Sequence, residues 1–316
     1  MSVGWVILSC VGAFAALCAA ALYAAMRLAC VAPRVTEKTV PDVIQRSSVR
    51  EYYDEVMQSV TAVRALPFAR VSVTSFDGLR LSGRWLPAEN AVGTALFFHG
   101  WRSIAELDFS AASGFYRSLG LNLLLVDQRA QGQSEGTFMT FGVREHRDVQ
   151  PWLEWIGKQC PGKPVLLAGL SMGAATVLMA AADPMPDTVR GILADCGFTS
   201  PKAIFTKVLR ERHLPARLIL TPVNWLTRVF AGFDMEECST LDALRRTKLP
   251  VLLIHGEADR FVPCEMSREN FAACASADKT LFTVPGAPHG GSYLVDRAGY
   301  EKTVCAFVRR IMGVQQ

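Results

Sequence analysis

The stretch that decides the fold is Pro164-Val165-Leu166-Leu167-Ala168-Gly169-Leu170-Ser171-Met172-Gly173-Ala174-Ala175-Thr176-Val177-Leu178. It opens on a short run that is apolar on both faces, as a strand buried between two layers requires, and it closes on small and apolar residues that suit a buried helix. Between them, Gly-x-Ser-x-Gly makes a sharp turn in which neighbouring backbones approach too closely for side chains. A serine placed there sits at a helix amino terminus, where free amide donors and a positive field favour a developing oxyanion. Ser171 is therefore the candidate nucleophile, and Gly169 and Gly173 shape the elbow that presents it. The same string recurs as Gly132-Gln133-Ser134-Glu135-Gly136. That copy is polar on both sides, with no small-residue helix after it, so Ser134 reads as part of a turn near the site.

Working outward, short apolar runs at 95–98, 121–126, 165–168, 191–194, 249–254 and 280–284 alternate with helical patterns near 104–119, 142–159, 172–182, 265–275 and 292–312. This alternation predicts an α/β fold with a mostly parallel, doubly wound sheet. Upstream, Val71, Val73 and Ser75 alternate, and Asp77-Gly78 marks a hairpin turn before 79–86, so two antiparallel strands are expected to lead into the sheet. One connection, 198–247, holds 50 residues and is too long for a simple crossover. Helical spacing at Ile204, Phe205, Val208 and Leu209, interruption at Pro215 and Pro222, and a capping Ser239 before a helix ending near Leu244 mark its first part, about 198–237, as a helical cap insertion.

A serine hydroxyl is a weak nucleophile and needs a positioned base. There are five histidines. His146 lies among Arg144, Glu145, Arg147 and Asp148, the pattern of a solvated helix face, and His213 in Arg210-Glu211-Arg212-His213 reads the same way. His255 ends a buried strand, where a structural histidine is expected, and His99 ends a strand further upstream. His289 lies in Pro285-Gly286-Ala287-Pro288-His289-Gly290, a rigid loop between the last strand and the last helix, and is the candidate base. The acid that orients it is expected after the preceding strand, at Asp259 in His255-Gly256-Glu257-Ala258-Asp259-Arg260-Phe261-Val262-Pro263. Asp259 also lies between Ser171 and His289, giving the chain order serine, acid, histidine. Asp195 is the rival, and Glu257 a weaker one.

With serine, acid and histidine in that order at strand ends, the sequence resembles the α/β-hydrolase superfamily over about residues 70–312. More closely, it resembles bacterial, often membrane-anchored members of the serine aminopeptidase and lysophospholipase branch. Phe97-Phe98-His99-Gly100-Trp101 resembles the family's oxyanion loop, which implies an oxyanion hole made of the backbone N–H groups of Trp101 and Met172. Asp127-Gln128-Arg129-Ala130-Gln131-Gly132-Gln133-Ser134-Glu135-Gly136 resembles the family's R-G-x-G-x-S turn, which accounts for the second motif. Ala130 stands where glycine is usual and Gln131 where histidine is frequent, departures that bear on loop conformation and substrate fit more than on chemistry.

The chain has 316 residues, of which 50% are apolar and 20% charged, with a net charge of +4. Such a composition excludes intrinsic disorder and a strongly cationic nucleic-acid binder. The apolar residues are concentrated at the amino terminus, where 26 of the first 31 belong to that set and 2–26 carry no charge. A helix over 2–26 would measure roughly 37 Å, enough to cross a bilayer. A cleaved signal peptide fits less well, because the run is long and no Lys or Arg precedes it. A buried core helix would have to hide an all-apolar surface. Three segments are expected: an anchor over 1–31, a connector over 32–69 with helical spacing at Val56, Val60 and Val63, and a catalytic domain over 70–316. Arg27, Arg34, Lys38 and Arg46 follow the span and predict a cytoplasmic body. The cysteines show no CxxC or Cys/His ligand spacing, which fits reduced, small buried residues and no zinc site.

The expected activity is that of a serine hydrolase acting on a small-molecule or lipid-like ester through an acyl-enzyme, with no metal or organic cofactor and no nucleic-acid partner. A serine peptidase is the alternative within enzymes. Outside them, the alternative is a catalytically silent, membrane-tethered binding module built on the same scaffold.

Overall fold

Eight short runs become strands in the computed structural model, which describes residues 3–31 and 33–313. They are β1 (Ala69–Thr74), β2 (Arg80–Leu86), β3 (Gly93–Phe98), β4 (Leu121–Val126), β5 (Val165–Leu170), β6 (Val189–Asp195), β7 (Val251–Gly256) and β8 (Lys279–Val284). One sheet contains them all in the order β1-β2-β4-β3-β5-β6-β7-β8. The β1–β2 and β2–β4 pairs are antiparallel and every other pair is parallel, so the expected doubly wound sheet and its leading hairpin are both present. The ends of two sequence expectations, residues 1–2 of the anchor and 314–316 of the catalytic domain, lie outside the described residues, as does residue 32.

Strand periodicity builds the two layers. Leu96, Phe98, Leu124, Val126, Val165, Leu167, Val251 and Leu253 face one side, against Trp152 and Ile156 of α6 (Val149–Gln159) and Val177 and Leu178 of α7 (Met172–Ala180). The alternate residues Ala95, Phe97, Leu123, Leu125, Leu166, Ala168, Leu252 and Ile254 face the other, against Ala112 and Tyr116 of α5 (Ser110–Ser118) and Tyr300, Val304 and Phe307 of α13 (Arg297–Met312). With apolar residues on both faces, each central strand can be buried only in such a sandwich. The expected last helix is divided because the Asp296 carboxylate accepts from Gly299 N–H at 2.9 Å and starts α13 anew, after α12 (Ser292–Val295).

Several local expectations need correction. In the expected connector 32–69, the described residues from 33 onward are a folded part of the body, with α2 (Val40–Arg46) and α3 (Tyr53–Arg64) burying Val40, Ile44, Val56 and Val60 against Ile104 and Leu107. Arg64 also pairs with the buried Glu106, which Arg84 reaches from β2. Glu145 and Asp148 do not lie on a solvated face. Both are buried, Asp148 on Arg129 at 2.6 and 2.7 Å and Glu145 on Thr140 and the Gly142 amide. His146, between them, bonds Asp183 at 2.7 Å. In the cap, α8 (Pro201–Glu211) is followed by α9 (Ala216–Leu226), and α9 runs through Pro222 instead of stopping there. Ser239 does cap α10 (Thr240–Leu244), accepting from Asp242 N–H at 3.1 Å. All nine cysteines are free thiols, but only Cys30, Cys196 and Cys274 are buried.

The amino-terminal helix α1 (Val3–Cys30) is long and apolar enough to cross a membrane. Its last turns are not separate from the body. Met26 and Cys30 are buried among Phe141, Met172, Leu220, Val223 and Phe233, so packing continues across the expected boundary at residue 31.

Candidate active site

The elbow forms where β5 ends and α7 begins. Ser171 has φ 56° and ψ −113°, a backbone conformation that costs a residue with a side chain about 1–3 kcal/mol and survives only where its surroundings impose it. Those surroundings are tight on both sides. A Cβ at Gly173 would lie 1.8 Å from the Phe98 carbonyl oxygen, and one at Gly169 would lie 2.2 Å from the Gly173 carbonyl oxygen. The Ser171 N–H donates to the Asp195 carbonyl at 2.8 Å, tying the elbow to the end of β6.

His289 reaches the serine from the loop between β8 and α12. Its Nε2 lies 2.8 Å from Ser171 Oγ, and its Nδ1 lies 2.6 Å from Asp259 Oδ2. Those partners suit Nδ1–H donating to the carboxylate and Nε2 accepting from the hydroxyl. Asp259 is fully engaged. Its Oδ1 accepts from Phe261 and Val262 N–H, both at 2.8 Å, and its Oδ2 also lies 3.2 Å from His255 Nε2. Burial alone would push this carboxyl up, but the hydrogen bonds from His255 and His289 prevail and hold it well below the usual carboxylate range. It therefore stays ionised beside the imidazole.

Asp195, the rival acid, does not touch His289. Its side chain is buried with Ser292 Oγ at 3.4 Å, and burial raises its pKa to about 6 despite the nearby His255 and His289. Glu257 is bonded to Thr283 Oγ1 at 2.8 Å and takes no part.

The loop after β3 lies against the elbow, since a Cβ at Gly100 would be 3.3 Å from Ser171 Cβ. Neither the Trp101 nor the Met172 N–H has a hydrogen-bond partner among the described residues. Several groups fix this loop. Asp108 accepts from Gly100 N–H at 2.6 Å and from Ser103 Oγ at 2.5 Å. His99 is buried, with Nδ1 on the Gly100 carbonyl at 2.8 Å and Nε2 accepting from Gln128 N–H at 3.0 Å. The Trp101 indole N–H donates to the Ala29 carbonyl at 2.9 Å, so the end of α1 is a wall of this site.

The second motif points elsewhere. Ser134 is buried in a turn where Oγ accepts from Ser82 N–H at 2.8 Å and donates to the Asp127 carbonyl at 2.6 Å, with no imidazole on it. Ala130 has φ 63°, the left-handed conformation that glycine adopts more readily.

One donor cluster invites a metal reading, because ligand atoms of Cys196, Asp259 and His289 lie within 4.8 Å of one another. The chemistry fits poorly. Burial, reinforced by the negative Asp195 and Asp259, pushes the Cys196 thiol far up and keeps it protonated, while both other groups are committed to hydrogen bonds.

Sequence reading missed two supporting groups. His255 stands four residues before Asp259, a spacing that carried the signal, whereas Asp108 lies in an ordinary helical stretch and only the folded loop reveals it. Phe261 sits edge-on to the His289 ring at 5.1 Å, and also stacks on Trp101 at 6.4 Å.

A model of the alpha/beta hydrolase family matches residues 95–301. Among curated relatives, the chain is 25% identical over 276 residues to the uncharacterized protein YqkD of Bacillus subtilis, covering 87% of this chain and 88% of that one. It is 27% identical over 218 residues to protein bem46 of Schizosaccharomyces pombe, covering 68% and 67%. Among solved structures, the Pyrococcus furiosus esterase Pf2001 is similar with a TM-score of 0.67 and 22% identity, covering 89% of this chain and 98% of that one.

Proposed function

The chain belongs to the alpha/beta hydrolase family and is a hydrolase, and from that premise we propose that it cleaves carboxylic esters with Ser171, His289 and Asp259 through an acyl-enzyme. The observation that carries this reading is the unbroken hydrogen-bonded line from Ser171 Oγ through both ring nitrogens of His289 to the Asp259 carboxylate. In the first half-reaction, His289 Nε2 takes the hydroxyl proton as Oγ bonds the ester carbonyl carbon. The unpartnered N–H groups of Trp101 and Met172 receive the negative oxygen of the tetrahedral intermediate, in a field reinforced by the start of α7. Collapse expels the alkoxide, which takes the proton from His289. Water then attacks the acyl carbon with His289 again as base, and the acid leaves as Ser171 regains its proton. Asp259 stays ionised throughout and stabilises the imidazolium.

The substrate reading is an acyl ester, lipid-like or small, because the side of Ser171 toward the cap is apolar. Met172 shares a cluster with Phe141, Ile204, Leu220, Val223 and Val262. In the same reading, α1 anchors the chain in a membrane, and the basic residues that follow its apolar run place the body on the cytoplasmic side.

The test uses the full chain in detergent micelles, since α1 contributes to the body's core. Ser171→Ala is expected to lower kcat on p-nitrophenyl butyrate by about 10⁴-fold or more, while Ser134→Ala stays within about twofold of wild type. A Ser171→Ala protein that is folded and hydrolyses at the wild-type rate would overturn the assignment.

A further inference from the structure

The cap helix α9 is apolar on two faces. Leu220 and Val223 point into the core, but Leu218 and Trp225 point outward with 74% and 61% of their surface exposed. The outward stripe continues through the following turn in Val229 and Phe230, 55% and 48% exposed. A surface helix normally turns a polar face to water, so an outer face of this kind calls for a second apolar partner.

The position of α1 says what that partner is. Residues 3–21 are exposed throughout, whereas Leu22, Met26, Ala29 and Cys30 pack on the body. The exposed part would measure about 28 Å at 1.5 Å per residue, against a hydrocarbon thickness of roughly 30 Å. The point where α1 would leave the hydrocarbon is therefore the point where it meets the cap. There, α1 packs on α9, and the Tyr23 ring meets the Phe230 ring edge-on at 5.2 Å. Aromatic side chains of this kind favour the boundary between acyl chains and headgroups, and Trp5 occupies the opposite end of the same helix. Arg27 on α1 and Arg217 beside Leu218 are exposed and form no ion pair among the described residues, as a surface facing anionic headgroups would have it, whereas Arg228 beside Val229 is paired with Asp234.

We propose that the outer face formed by Leu218, Trp225, Val229 and Phe230 is embedded in the boundary layer of an anionic lipid bilayer, making the cap a second membrane contact beside α1. This rests on reading α1 as the membrane span. It deepens the substrate reading, because the inner face of α9 shares the apolar cluster of Met172, the residue after Ser171. An acyl ester would then pass from the bilayer along α9 to the serine without crossing water.

The test is tryptophan quenching in the full chain, reconstituted in vesicles of phosphatidylcholine and phosphatidylglycerol with or without bromines near the headgroup end of the phosphatidylcholine acyl chains. The contributions of Trp225 and Trp5 are obtained by difference from Trp225→Phe and Trp5→Phe, conservative changes at exposed positions. Both contributions are expected to fall at least about twofold in brominated vesicles. Quenching of Trp5 with Trp225 unaffected would overturn the cap contact and leave the span standing. If neither is quenched, the span itself fails and the cap contact falls with it.

Discussion

Two stretches of this chain spell Gly-x-Ser-x-Gly, and they fold to opposite ends. At 169–173 the serine is forced to φ 56° between backbones that leave no room for a Cβ at either glycine, and its hydroxyl faces an imidazole. At 132–136 the serine hydroxyl is consumed by two main-chain groups, Ser82 N–H and the Asp127 carbonyl. Each turn has a non-glycine residue at positive φ, Ser171 itself at 56° in the first and Ala130, two residues before the second string, at 63°. In the first, the strained residue is the proposed nucleophile. In the second it serves only the course of the turn. The five-residue string is thus silent about chemistry, and what precedes and follows it decides.

The comparison can be sharpened at the acids. If the hydrogen-bonded line through His289 is what separates Ser171 from Ser134, Asp259→Asn should lower kcat about 10³- to 10⁴-fold by removing the charge that fixes the imidazole. Asp195→Asn should cost less than about tenfold, because Asp195 meets the serine only through its main-chain carbonyl. Steady-state kinetics on one soluble ester checks both, and the reverse ranking would move the acid to Asp195. Asp195→Asn should also reveal a pH signature in stability. Burial first, opposed by His255 and His289, raises the Asp195 pKa from 3.8 to about 6 in the folded protein. The folded state therefore holds this proton more tightly, and wild type loses stability as pH rises from about 4 to about 6, by at most about 3 kcal/mol. The Asn variant has no such loss, so its advantage in a denaturant titration should grow across that window and stay level above it. An advantage that shrinks with rising pH would contradict the assignment.

The smallest effect is expected at Ala130. Glycine there would relieve a left-handed conformation worth about 1–2 kcal/mol, offset by about 0.5–1 kcal/mol of extra chain entropy. Ala130→Gly should raise Tm by about 1–2 °C and leave kcat unchanged. A fall in kcat would break the claim that the 127–136 turn is purely architectural. No equivalent relief is open at Ser171, where the strained residue is the proposed nucleophile.

Much of this was legible in the sequence for physical reasons. The central strands are apolar on both faces, which only a two-layered sheet can bury, and the elbow and the acid follow two such strands, while the histidine follows the half-buried edge strand β8. Three features were hidden because a partner outside the local sequence pattern decides them. Glu145 and Asp148 look solvated until Thr140 and Arg129 are folded onto them. The stripe of Val40, Ile44, Val56 and Val60 is too sparse among polar residues to show that α2 and α3 dock beside Ile104 and Leu107. The last turns of α1 look like membrane span in the sequence because a bilayer and a protein core select the same apolar side chains, yet Met26 and Cys30 belong to the core.

The most direct measurement is the site of covalent modification. The full chain is treated with a fluorophosphonate, digested and mapped by tandem mass spectrometry. The adduct is expected on Ser171 alone, with labelling lost in Ser171→Ala and retained in Ser134→Ala. An adduct on Ser134, or labelling that persists in Ser171→Ala, would contradict the account.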